Sequence, residues 1–144
     1  MTGNRKMIYI SAPMRGVPDY NEPLFTEFDE LFTGHGFQVI NPIKVTAEIE
    51  EMSRRIDPTC RLPLSPRHYF YVELPLICRG VNCLLVLQKP WNDSKGCRAE
   101  VATAVACDIP VFVNISDGYW EQYGSVGWNI FSTSELIDFM RRLK

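Results

Sequence analysis

The sequence predicts an α/β fold: three layers of the flavodoxin or Rossmann kind, built on a mostly parallel sheet of about five strands. Two observations lead there. Short apolar runs suited to strands alternate along the chain with stretches of helical periodicity. The runs Cys83 to Leu87 and Ile109 to Val113 are apolar at successive positions, as in strands covered on both faces.

Met7 to Ile10 reads as the first strand, running into the loop SerAlaProMetArgGly. Asn21 stands where it can cap a helix whose Leu24, Phe25, Phe28, Leu31 and Phe32 share one face, and Gly34 or Gly36 ends it. Phe37 to Ile40 is a second strand, broken by Asn41 and Pro42. Thr46 to about Arg55 interleaves Ala47, Ile49 and Met52 with acids, which predicts a short amphipathic helix. Residues 56–64 hold two prolines and no period, and read as a loop or lid beside an active site. Ser65 and Pro66 open a helix that Gly80 stops, with Pro75 expected to kink or shorten it. After the strand at 83–87, a polar loop leads into an alanine-rich helix, Cys97 to Cys107. Trp128 to Phe131 reads as an edge strand, and SerThrSerGlu at 132–135 is a capping box opening the last helix.

A chain of 144 residues without repeat or linker predicts one domain over 1–144. The net charge of -2 argues against a nucleic-acid polymer as partner, because a phosphate-tracking groove needs a basic stripe. No apolar run approaches the roughly 20 residues that span a bilayer, so neither a membrane partner nor a membrane address is expected, and the expected place is the cytoplasm. The five cysteines lack zinc-site spacing and only two histidines accompany them; they read as buried free thiols. No metal and no cofactor is implied, and a small-molecule ligand fits the composition better.

In such sheets ligands bind beyond the carboxyl ends of the strands, which directs attention to the loops after Ile10, Leu87 and Val113. Arg15 and Gly16 follow the first strand. Ser94, Lys95 and Gly96 stand at a helix start, where unpaired N–H groups and the helix dipole favour an anion such as phosphate. Glu100, six residues after Ser94, is one turn into that helix among small and apolar neighbours, so its carboxylate can reach the same cavity. Glu73, between Val72 and Leu74, is the second acid of choice. Two carboxyl groups about 5 Å apart can divide glycosidic cleavage between nucleophile and proton donor. From spacing alone, a solvated or salt-bridged role is the commoner fate of either glutamate.

The segments IleTyrIleSerAlaProMetArgGly at 8–16, ValProAspTyrAsn at 17–21, ValIleAsnPro at 39–42 and TrpAsnAspSerLysGlyCysArgAlaGlu at 91–100, taken in order, resemble the nucleoside 2-deoxyribosyltransferase superfamily. That superfamily includes the 2'-deoxynucleoside 5'-phosphate N-hydrolases and a small phage and bacterial branch, which the chain resembles most. The resemblance implies that Glu100 is the nucleophile at C1' and that Tyr9 lies beside it. It also implies that Ser11, Arg15, Gly16, Ser94, Lys95 and Gly96 form the substrate-binding set, with Ser94 favouring a 5'-monophosphate over a free nucleoside. The superfamily's second acid is usually aspartate before leucine, whereas Glu73 precedes Leu74 here. Its members usually form dimers that complete each other's sites, so a homodimer or higher homo-oligomer is implied. Trp91, Tyr119, Trp120 and Trp128 are then candidates for a base pocket, an interface or the core.

The expected function is cleavage of the N-glycosidic bond of a (deoxy)ribonucleoside 5'-monophosphate. The alternatives are base exchange by a deoxyribosyltransferase and a non-catalytic nucleotide-binding protein or sensor. A dinucleotide-binding dehydrogenase is disfavoured, because the first loop has no GxGxxG.

Overall fold

The computed structural model describes residues 5–124 and 129–144. Alternation along the first strand sets up everything that follows. In β1 (Met7–Ser11), Ile8 and Ile10 point to one face of the sheet and Tyr9 to the other. A 3₁₀ turn at Pro18–Asn21 leads into α1 (Glu22–Gly34), followed by β2 (Gln38–Ile40), α2 (Pro42–Ile56) and α3 (Pro66–Gly80). Then come β3 (Cys83–Val86), α4 (Lys95–Ala106), β4 (Val111–Ser116), β5 (Tyr119–Gln122), β6 (Ile130–Ser132) and α5 (Thr133–Arg141).

The strands form one sheet in the order β2-β1-β3-β4-β5-β6. The pairings of β1 with β2 and β3, and of β3 with β4, are parallel; β4 with β5 and β5 with β6 are antiparallel. The expectation of a mostly parallel sheet of about five strands is thereby corrected to a mixed sheet of six among the described residues. The extra antiparallel strand, β5, returns through Asp117 and Gly118, a two-residue connection typical of hairpins, with Gly118 at φ +79° where a side chain would be strained. Trp128, expected in the edge strand, lies outside the described residues, and the edge strand itself is β6.

Each face of the sheet carries its own core. On one side Ile8, Ile10, Cys83, Leu85 and Phe112 pack with Phe25 and Phe32 of α1 and with Leu136 and Met140 of α5. On the other, Tyr9, Leu84, Val86, Val111 and Val113 pack with Ile77 of α3 and with Val101 and Ala104 of α4. Trp120 is fully buried against Phe28 and Phe32 and donates its indole N–H to Thr133 Oγ1 at 3.1 Å; it belongs to the core, not to a base pocket.

Several local expectations are revised by specific contacts. Asn21 precedes α1 in a left-handed conformation (φ 64°) and makes no cap. Its Nδ2 donates instead to Pro13 O (3.0 Å) and Gln88 Oε1 (2.9 Å), joining the loop after β1 to the loop after β3. α2 begins at Pro42 rather than Thr46, because Asn41 Oδ1 accepts the Ile43 N–H at 3.0 Å and Pro42 takes the first helical position. α3 continues through Pro75 to Gly80 without being shortened. The last helix opens with the expected capping box of Ser132 and Glu135. No helix among the described residues is long and apolar enough to cross a membrane.

Candidate active site

In α3, Tyr69, Glu73 and Ile77 recur every four residues and are buried together; in α4, Cys97, Glu100, Val101 and Ala104 fall on one face at spacings of three and four and are buried likewise. Each helix therefore turns one glutamate inward along its apolar stripe. The glutamates are 6% and 4% exposed, so neither is the solvated helix acid that spacing alone favours. Tyr9, on the same sheet face, donates its phenol O–H to Glu100 Oε2, and Ser11 Oγ, two residues on, donates to Glu100 Oε1 at 2.7 Å. Both oxygens of Glu100 thus have a hydroxyl donor supplied by one strand.

Glu73 and Glu100 also hydrogen-bond to each other. Thr46 Oγ1 of α2 donates to Glu73 Oε1 at 3.3 Å. Burial, then the charge of Glu100, pushes Glu73 up to about 8. Burial pushes Glu100 up to about 7, while hydrogen bonds from Tyr9, Ser11 and Glu73 act in the other direction. Two acids in contact share one proton near neutral pH, and the donors around Glu100 leave that proton on Glu73. The Tyr9 phenol is driven far above its ordinary range by burial and by the Glu100 and Glu73 carboxylates, so it stays a donor.

The pair forms part of the wall of a cavity of about 400 Å³. The cavity opens where the chain leaves the adjacent strands β1 and β3 for helices on opposite faces, the switch point at which open α/β sheets bind ligands. Ala12, Met14 and Arg15 line it from the first loop, and Asp93, Ser94, Lys95 and Gly96 from the start of α4. Ser94 caps that helix, its Oγ accepting the Cys97 N–H at 3.2 Å. Gly16 occupies a left-handed turn (φ +78°) beside these residues.

Sequence reasoning did not single out the far wall. Thr46 and Glu50, four apart on α2, face Tyr69 and Glu73, four apart on α3. Tyr69 donates to Glu50 Oε2 at 2.8 Å and accepts the Leu64 N–H at 2.7 Å. Arg15 Nη2 donates to Leu64 O at 3.1 Å, and its guanidinium lies 5.7 Å from the Tyr69 ring centre. Arg15 therefore straps the end of the 57–64 loop to the cavity mouth, while Pro63 lines the cavity. The i, i+4 spacing on both helices was the available signal. Of the aromatic candidates, Trp91 packs edge-on against Tyr123, with ring centres 5.7 Å apart, and Tyr119 is half exposed; the cavity aromatics are Tyr20, Tyr69 and Phe70.

A family model described as a domain of unknown function, DUF4406, matches residues 6–113. The chain belongs to the DUF4406 family. The matched span holds every member of this constellation, from Tyr9 to Glu100, and ends within β4, before the antiparallel hairpin strands. No curated protein and no solved structure matches the DUF4406 chain. Among the described residues of this DUF4406 member, no three His, Cys, Asp or Glu side chains cluster so as to hold a metal ion.

Proposed function

We propose that this protein cleaves the N-glycosidic bond of a ribo- or deoxyribonucleoside 5'-monophosphate and releases the free base. The observation that carries the reading is the buried pair on the cavity wall, where two hydroxyl donors on Glu100 favour the charge there and the proton on Glu73. Such a division of one proton between two carboxyls is what glycosidic cleavage requires of its acid and its nucleophile.

In this reading the 5'-phosphate rests at the N-terminus of α4, on Ser94, Lys95 and Gly96, with the charge of Arg15 nearby. The sugar enters between the two acids and parts them to about the 5 Å spacing of retaining enzymes. A Glu100 oxygen attacks C1' as Glu73 gives its proton to the departing base. Glu73, now a carboxylate, takes a proton from water, which attacks C1' and frees Glu100 and the sugar phosphate. The resemblance to nucleoside 2-deoxyribosyltransferases and the flavodoxin-like order of the parallel strands support the same reading. Glu73 stands where that superfamily usually has aspartate, a departure from its pattern, and in this chain it meets Glu100. The enzyme then works in the cytoplasm, as a homodimer or larger homo-oligomer.

The test is incubation of wild type and Glu100→Gln with ribo- and deoxyribonucleoside 5'-monophosphates and the matching nucleosides, with and without an added acceptor base. Released base is followed by chromatography. Release from monophosphates without acceptor, lost in the variant, is expected. Product formed only with acceptor would make the protein a deoxyribosyltransferase, and saturable binding without turnover would make it a nucleotide-binding protein.

A further inference from the structure

Cys60, Cys78 and Cys107 lie outside the site and outside both cores, and the last two face each other. Cys78 is in the last turn of α3 and Cys107 follows α4; both are exposed, against the expectation of buried thiols, and the Cys107 thiol donates to Cys78 Sγ at 3.7 Å. α3 and α4 pack side by side on one face of the sheet, so rigid helix packing and not a loop brings these sulfurs together. Disulfide sulfurs lie about 2.05 Å apart, an approach of under about 2 Å from here that rotation about the two Cα–Cβ bonds can supply. Among the other cysteines, Cys83 and Cys97 are buried, with Cys83 on Met140 Sδ and Cys97 beside Ser11.

We infer that Cys78 and Cys107 are a reversible disulfide site, joining α3 to α4 when a small-molecule disulfide of the glutathione class is the oxidant. The Cys78 thiolate attacks one sulfur of the oxidant, breaking its S–S bond and releasing one thiol. The Cys107 thiolate then displaces the second thiol from Cys78. The protein gives up two protons and two electrons, and the oxidant leaves as two thiols. Cys78 is assigned the first step because the Cys107 thiol, as the donor of the pair, stabilises a thiolate on Cys78.

The link would lie at the opposite end of both helices from the acids. Cys78 follows Glu73 by five residues and Cys107 follows Glu100 by seven, which is roughly 7–10 Å along the helix axes. It closes no cavity, and it fixes the spacing of the two helices that carry the acid pair.

The test equilibrates wild type, Cys78→Ser and Cys107→Ser in reduced and oxidised glutathione at graded ratios, followed by acid trapping, alkylation and peptide mapping. Expected in wild type is a Cys78–Cys107 linked peptide within a single chain, reversed by reduced glutathione, with Tm raised by about 5 °C in the oxidised form. Each serine variant should instead carry one glutathione adduct and show no such rise. Separate adducts on both cysteines of wild type, or links only between chains, would overturn the inference. So would an internal link that lowers Tm, because the sulfurs would then meet only by distorting the helices.

Discussion

Replacing Glu73 by glutamine should make the protein more stable in alkali than it is now. The carboxyl is raised in the folded chain from 4.5 to about 8, so between those values the folded state binds a proton that the unfolded state has lost. Stability then falls with rising pH across that window, and the contribution is gone above about 8. At about 1.4 kcal/mol per pH unit the ceiling between pH 5 and pH 9 is about 4 kcal/mol. Water entering from the adjoining cavity reduces it, and about 2 kcal/mol is the expected net. Glutamine keeps the shape, leaves a donor for Glu100 and carries no charge. The assay is thermal unfolding of both proteins at intervals from pH 5 to pH 9. The variant should gain on wild type by about 6 °C between the two ends, at about 3 °C per kcal/mol. Melting curves that shift in parallel across the whole range would refute the idea that the pair retains a proton above the ordinary carboxylate range.

Base release, measured as kcat/KM against pH, should rise as Glu100 ionises near 7 and fall as Glu73 loses its proton near 8. Tyr9→Phe removes one donor from Glu100; its acid limb should move up by about one pH unit, since hydrogen bonds to charged groups are worth about 1.5–3 kcal/mol. A limb that stays put would remove Tyr9 from the site's proton balance. Ser94→Ala should lower stability by about 1 kcal/mol through loss of the cap on α4. Ser94→Asp should keep the cap, and so the Tm, while cutting the kcat/KM ratio of monophosphate to nucleoside about tenfold by charge repulsion; an unchanged ratio would move the phosphate elsewhere.

The start of α4 was legible because its signals are local: a serine cap, a polar loop before it, and an acid one turn inside. Placing Glu100 at the end of that reading needed only helix geometry. Tyr9 and Ser11 were harder. Strand alternation puts them on one face together, but which helix covers that face is a tertiary fact, and only the resemblance brought Tyr9 to Glu100's side. The wall made by Thr46, Glu50 and Tyr69 was hidden for the same reason, since it needs α2 and α3 to lie against each other. β5 was missed although Asp117 and Gly118 offered a hairpin signal, because apolar runs were sought and TyrTrpGluGln is not one. The exposed sulfurs were misread because a helix-end cysteine looks like a core residue until the partner helix is in view.

The amide of Asn21 has a mechanical consequence. By gripping Pro13 O and Gln88 Oε1 together, it makes the loops that leave β1 and β3 into a single jaw. On the opposite side α3 is anchored in the core through Ile77, while the 57–64 loop reaches the jaw through the Arg15 contact with Leu64. One side of the mouth is thus a fixed anvil, and the 57–64 loop is the cover laid across it. Lengthening or rebuilding the cover changes what fits without disturbing the anvil, so a chain of this design can change its diet while leaving its chemistry alone.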